Sequence, residues 1–275
     1  MTDQTLPAGT VDTHAHIFGP MDRYPLVANR NYDPPLMPLP RYREARARMK
    51  AGRTVLVQPS VYGTDNRAML DAMAEGGPGF RGVAVIDGTE SDAVLQAMHD
   101  RGVRGARVNL LFRGGVELAA AERIGARVAP FGWHVQFLVD VSATDGFAAL
   151  VERLPGDVVV DHMGHPSGAA GVADPGFRTL LSQLREGRCW VKLSGSYRVS
   201  RRLDAPYPDV RPFVDALLEA NPDRLLWGSD WPHVGIAGRP PTPEQILDEL
   251  RGWLPHAELR QRILVDNPAR LYGWA

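Results

Sequence analysis

Asp157-Val158-Val159-Val160-Asp161-His162 is an apolar run that ends, without a spacer, in a carboxylate and an imidazole. A strand that is apolar almost without break is the kind found where both faces are covered, as in a parallel sheet. Working outward, Thr54-Val55-Leu56-Val57-Gln58 and Gly82-Val83-Ala84-Val85-Ile86 read the same way. Together with the shorter β-rich runs they make eight predicted strands, at 10–14, 54–58, 82–86, 104–110, 133–139, 157–161, 190–194 and 224–228. Between them lie helix-like stretches at 41–51, 64–75, 90–101, 115–129, 142–153, 174–186 and 208–220, several opening on a Thr, Ser or Asp suited to capping. Eight strand–helix alternations in a chain of this size predict a (β/α)8 barrel, here a single domain over residues 1–275. A doubly wound open sheet would announce a Gly-rich phosphate turn after its first strand, and Val11-Asp12-Thr13-His14-Ala15-His16-Ile17-Phe18-Gly19 is not one.

Two stretches exceed a minimal barrel, 19–40 (rich in Pro and Asn) and 196–212 (carrying Tyr, Arg and Pro). Both follow strands, which places them over the mouth where barrel enzymes build their sites. Composition narrows the function further. With 31 Lys plus Arg against 32 Asp plus Glu, the chain has no sequence-wide attraction for nucleic acid or an anionic membrane. Lys50 and Lys192 are its only lysines, so a mechanism that needs a lysine has two candidates, while one Arg among so many carries little weight. Cys189 is alone, which excludes an intrachain disulfide and suits a reducing cytoplasm. No stretch reads as an export signal or a membrane span.

Polar residues concentrate at predicted strand ends. His14 and His16 are two apart after the first strand, so strict alternation aims both to one side, where they could share a divalent ion or donate to an oxygen that gains charge. Alone, such a pair reads equally well as hydrogen-bonded core histidines. His162 closes the sixth strand, and His165, between Gly164 and Pro166, reads as structural. Asp230 follows the eighth strand between Trp227 and Trp231, whose desolvation would raise its pKa and suit it to general-base work unless cations oppose the shift. Arg107 within the fourth strand needs a partner, either a structural carboxylate or an anion in the mouth. Arg113, Arg198 and Ser60 sit after strands in similar positions and together suggest a small anionic substrate. No GxSxG, GxxxxGK[ST] or HExxH motif is present, and Cys189, at a strand start, reads as packing.

Asp12-Thr13-His14-Ala15-His16, Asp161-His162-Met163-Gly164-His165 and Trp227-Gly228-Ser229-Asp230-Trp231-Pro232-His233 resemble the amidohydrolase superfamily, in its amidohydrolase-2 branch. Within that branch the chain is most similar to the 2-pyrone-4,6-dicarboxylate lactonases and related lactone hydrolases, through 58–66 (QPSVYGTDN), 102–115 (GVRGARVNLLFRGG) and 192–198 (KLSGSYR). The resemblance implies hydrolysis of a small carboxylated lactone. It implies Asp230 as general base, His14, His16 and His162 around the reacting carbonyl, and Arg107, Arg113 and Arg198 as carboxylate binders, with Ser60 and Tyr32 as weaker matches. Binuclear relatives carry a Lys on strand four and a His ending strand five. This chain has neither, so a two-metal site is not expected. The favoured expectation is no required metal; the alternative is one Zn2+ or other divalent ion on His14, His16, His162 and Asp230. A zinc-dependent decarboxylase of the same branch and a non-catalytic anion-binding barrel remain the competing functions. The oligomeric state is not legible.

Overall fold

The computed structural model describes residues 5–111, 120–166 and 170–274. Among them, eight strands form one parallel sheet in sequence order: β1 (Val11–Ala15), β2 (Arg53–Val57), β3 (Phe80–Ala84), β4 (Val103–Asn109), β5 (His134–Leu138), β6 (Val158–Val160), β7 (Trp190–Leu193) and β8 (Leu225–Trp227). Each falls on a strand expected from sequence. The sheet curls into a nearly closed (β/α)8 barrel, with β8 returning to β1 through an Ala15–Trp231 bridge and the His16 N–H to Trp231 O bond of 2.9 Å. Asp12 reinforces the seam. Its Oδ1 accepts the Ser229 and His14 amides and its Oδ2 accepts the Ser229 and Tyr42 hydroxyls, at 2.6–3.1 Å. Gly228 is required here, because a Cβ would lie 2.5 Å from His14 Cβ.

The helices alternate with the strands. They are α1 (Leu39–Arg48), α2 (Arg67–Gly76), α3 (Asp92–Asp100), α4 (Ala121–Val128), α5 (Phe147–Arg153), α6 (Pro175–Arg185), α7 (Ser196–Val199) and α8 (Arg211–Ala220), followed by α9 (Pro243–Trp253), α10 (Ala257–Gln261) and α11 (Asn267–Tyr272). The last three lie beyond the helical stretches expected from sequence, although Thr242-Pro243-Glu244-Gln245 carries a capping-box pattern, and both of its reciprocal bonds form. Outward strand residues such as Leu56, Val108, Phe137 and Val160 pack under the helices, whereas Val55, Val83, Val159 and Leu226 fill the barrel interior above Leu271 and Tyr272. No described helix is long and apolar enough to cross a membrane.

Alternation fails at one informative place. The β1–β2 register slips between Asp12 and Ala15, so Asp12 reaches Tyr42 on the helical side while His14 and His16 both reach the interior. A bulge of this kind re-aims side chains at a strand end. The stretch after β1 leaves and returns through paired bonds between Phe18 and Met37, both 2.9 Å, and the Val27 amide bonds Val61 O, which holds the excursion over the mouth.

Candidate active site

The C-terminal strand ends bring Asp230, His14, His16 and His162 together, all buried. Asp230 Oδ1 lies 3.7 Å from the Nε2 atoms of both His14 and His16, and Oδ2 lies 3.8 Å from His162 Nε2. Asp230 adopts φ +57°, a left-handed conformation that Asp tolerates better than most residues, with its amide bonded to His14 O at 2.8 Å. The turn thereby points the carboxylate back into the barrel. Its two oxygens are unequal. Oδ2 accepts the Tyr197 hydroxyl at 2.7 Å and Arg198 Nε at 2.8 Å, whereas Oδ1 is buried without a hydrogen-bond partner among the described residues.

The expected upward pKa shift of Asp230 does not occur. Burial by itself raises the pKa, but the Arg198 guanidinium and then the surrounding histidines outweigh it and hold the carboxyl well below the usual range. Trp227 and Trp231 flank the residue in sequence; the cation beside it in space decides the sign. Burial has the opposite consequence for the imidazoles: it drives His14 down to about 3 and His162 well below its ordinary value, so both are neutral near pH 7.

Arg107 is buried, donating to Gln58 O at 3.1 Å and standing 3.5 Å from Asp161 Oδ2. Arg198 also donates to Val234 O at 3.0 Å. Tyr32, carried by the excursion after β1, bonds Ser60; burial pushes its hydroxyl up to about 12 while Arg107, Ser60 and Arg198 act against the shift. These four predicted substrate contacts therefore converge on the mouth. Arg113 lies outside the described residues.

Sequence reasoning missed a polar layer directly beneath. Asp161, Gln136 and Lys192 are buried on neighbouring strands, and Lys192 Nζ reaches Thr13 O at 3.0 Å, Gln136 Oε1 at 2.8 Å and His14 Nδ1 at 3.3 Å. Gln136 Nε2 donates to Asp161 Oδ2 at 3.1 Å. Burial lowers the Lys192 pKa to about 8, with Asp161 opposing. The available signal was a lysine within the apolar run Trp190–Leu193, in a chain holding only two. Tyr197 and Ser194 were also missed. Ser194 Oγ is 2.9 Å from His162 Nδ1, and Gly195 at φ +65° is required because a Cβ would meet that same nitrogen at 2.7 Å. His165, read as structural, stacks edge-on against the His162 ring at a centroid distance of 5.3 Å. Cys189 is buried, with its thiol pushed up to about 12 by desolvation, as packing requires.

Among the described residues, two groups could hold a cation: His14, His16 and Asp230, and His14, Asp161 and His162, each with one ligand atom per residue within 4.8 Å of the others. The four-residue set expected from sequence is thus divided between two groups that share His14.

The amidohydrolase family model matches residues 11–274. A 2-pyrone-4,6-dicarboxylate hydrolase of Comamonas testosteroni is 39% identical, over 97% of this chain and 91% of its own length. A 4-sulfomuconolactone hydrolase of Rhizobium radiobacter is 35% identical over 98% and 91%. Among solved structures, that of a probable 2-pyrone-4,6-dicarboxylic acid hydrolase from Acinetobacter baumannii, with citric acid bound, superposes with a TM-score of 0.84 at 26% identity, covering 96% of this chain and 99% of that one.

Proposed function

The chain belongs to the amidohydrolase family, and from that premise we propose that it is a hydrolase that opens a small carboxylated lactone of the 2-pyrone-4,6-dicarboxylate type. The observation that carries the reading is the asymmetry of Asp230: one oxygen anchored by Tyr197 and Arg198, the other unpaired and facing two imidazoles. Oδ1 takes a proton from the attacking water and returns it to the leaving oxygen. His14, His16 and His162 stabilise the oxyanion that develops on the carbonyl, and Arg107, Arg113 and Arg198, with Tyr32 and Ser60, hold the substrate carboxylates. A carboxylate that competes for Arg198 draws the cation away from Asp230 and increases the basicity of Oδ1 when substrate arrives. The lactone hydrolase relatives support this substrate class. The barrel from β1 to α11 acts as one catalytic unit, in the cytoplasm.

The favoured mechanism has no required metal. The residues also fit a single divalent ion, since Asp230 Oδ1 is an orphaned acceptor beside two imidazole nitrogens. His14, His16 and Asp230 would hold it, with His162 flanking, and it would polarise the carbonyl and acidify a water.

The test is hydrolysis of 2-pyrone-4,6-dicarboxylate by purified protein, followed as loss of pyrone absorbance before and after chelation. Turnover that survives chelation is expected. Turnover abolished by chelation and restored by zinc would make the histidines ligands, and no turnover with this lactone or 4-sulfomuconolactone would remove the substrate assignment.

A further inference from the structure

We propose that His165 is a further substrate-binding residue, whose Nε2 meets the same carboxylate of the lactone that Arg198 holds. The inference rests on the lactonase reading and adds a contact that comes from a turn rather than from a strand end. His162, Met163, Gly164 and His165 have φ of +51°, +58°, +80° and +49°, four successive residues in the left-handed region. Only Gly164 takes that conformation freely. For the three residues with a Cβ it is costly, and it persists where the surroundings impose it. Three bonds do so here, from the Gly164 amide to Asp161 O at 2.9 Å, from the His165 amide to His162 O at 3.0 Å and from the Val141 amide to Gly164 O at 2.9 Å.

A turn of three residues brings positions i and i+3 over one another, and this one sets the His165 ring edge-on to that of His162, with centroids 5.3 Å apart. The backbone does not itself call for an imidazole, because Gly or Asn would take the same φ with less strain. Nor does a hydrogen bond within the protein call for one: His165 Nε2 is buried and has no partner among the described residues. The charged groups that face the ring are Arg198, Asp230, Asp161 and Arg107, with Arg198 foremost. A Cβ on Gly195 would meet His162 Nδ1 at 2.7 Å and Arg198 Cδ at 3.2 Å, so the arginine stem and His165 both border the His162 ring. A guanidinium has hydrogens to donate and no lone pair to offer. A carboxylate seated on Arg198 therefore brings the acceptor that an Nε2 hydrogen lacks, and it pairs a buried polar atom that the folded chain leaves over. Neutral and charged imidazoles can both carry that hydrogen, and the contact is the same whether or not an ion occupies His14, His16 and Asp230.

Steady-state kinetics on 2-pyrone-4,6-dicarboxylate, comparing the wild type with His165→Asn and His165→Gly, test the contact in two variants that accept the left-handed backbone. KM should rise about tenfold or more while kcat stays within about twofold, and the urea midpoint should not fall. An unchanged KM in both variants overturns the proposal. So does a fall in kcat that accompanies a lower urea midpoint at constant KM, the result expected of a residue that only shapes the turn. Calorimetric titration of the same lactone into Asp230→Asn, with and without His165→Asn, reads the contact apart from hydrolysis, and about tenfold weaker binding in the double variant is expected. A lactone that the wild type binds without opening removes the hydrolase reading and leaves this affinity difference to decide on His165. A lactone that the wild type does not bind overturns both.

Discussion

At the scale of single residues, position was legible and charge environment was not. Asp230, His14, His16 and His162 could be found because each closes or follows an apolar run, and a barrel converts strand ends into one shared mouth. What surrounds Asp230 could not be read, since Tyr197 and Arg198 meet it from another strand end, and a composition so rich in arginine masks the one that matters. The structure also distinguishes the two carboxylate oxygens, and that distinction yields a test. Asp230→Asn keeps the shape and an acceptor but removes the base. It should lower kcat by about 10²–10⁴-fold, with KM for the lactone changed little, as steady-state kinetics would show. A variant with near-native kcat would assign the base elsewhere.

At the scale of elements, apolar runs fixed the strands, while β1 illustrates what periodicity omits. Alternation placed His14 and His16 on one side; strict alternation would carry Asp12 with them, but the bulge separates it and gives it a structural task. The helices after β8 lie past the last strand–helix pair, where alternation predicts nothing, although the capping box at Thr242 marks the start of α9. That helix carries Glu249, half-buried, which accepts the Ser196 hydroxyl at 2.5 Å and so ties α9 to α7, the helix that supplies Tyr197 and Arg198. Burial raises the Glu249 pKa to about 7, with the Ser196 bond opposing. A carboxyl whose folded pKa exceeds its unfolded value binds more protons when folded. Its contribution to stability is therefore complete below the unfolded pKa of about 4.5 and is lost as pH rises through about 7. Glu249→Gln should be more stable than the wild type at pH 8 and should flatten the decline in stability between pH 5 and 8, measured as urea midpoints across that range. A decline of unchanged steepness in the variant would place its source in another group.

At the scale of the whole molecule, the barrel must close before the site exists, because Asp230 and the His14–His16 pair lie on opposite sides of the β8–β1 seam. Seven parallel ladders join the strands from β1 to β8, but the seam itself depends on loop bonds and on Asp12. Eightfold alternation predicted closure from sequence; it could not say that a carboxylate two residues before His14 performs it. Asp12 is buried, and its pKa is raised by desolvation against four hydrogen bonds that favour the charged form. Truncating it strands the Ser229 and His14 amides and two hydroxyls, and each buried donor left unpaired costs about 1–3 kcal/mol. Asp12→Ala should therefore lose about 3 kcal/mol or more of unfolding free energy. Because Asp12 also holds the loop that aims Asp230, kcat should fall even at temperatures where the variant stays folded. Urea unfolding combined with kinetics at low temperature checks both expectations. Loss of stability with full activity would mean that the seam supports the fold without aligning the base, and unchanged stability would mean that the ladders and loop bonds close the barrel without Asp12.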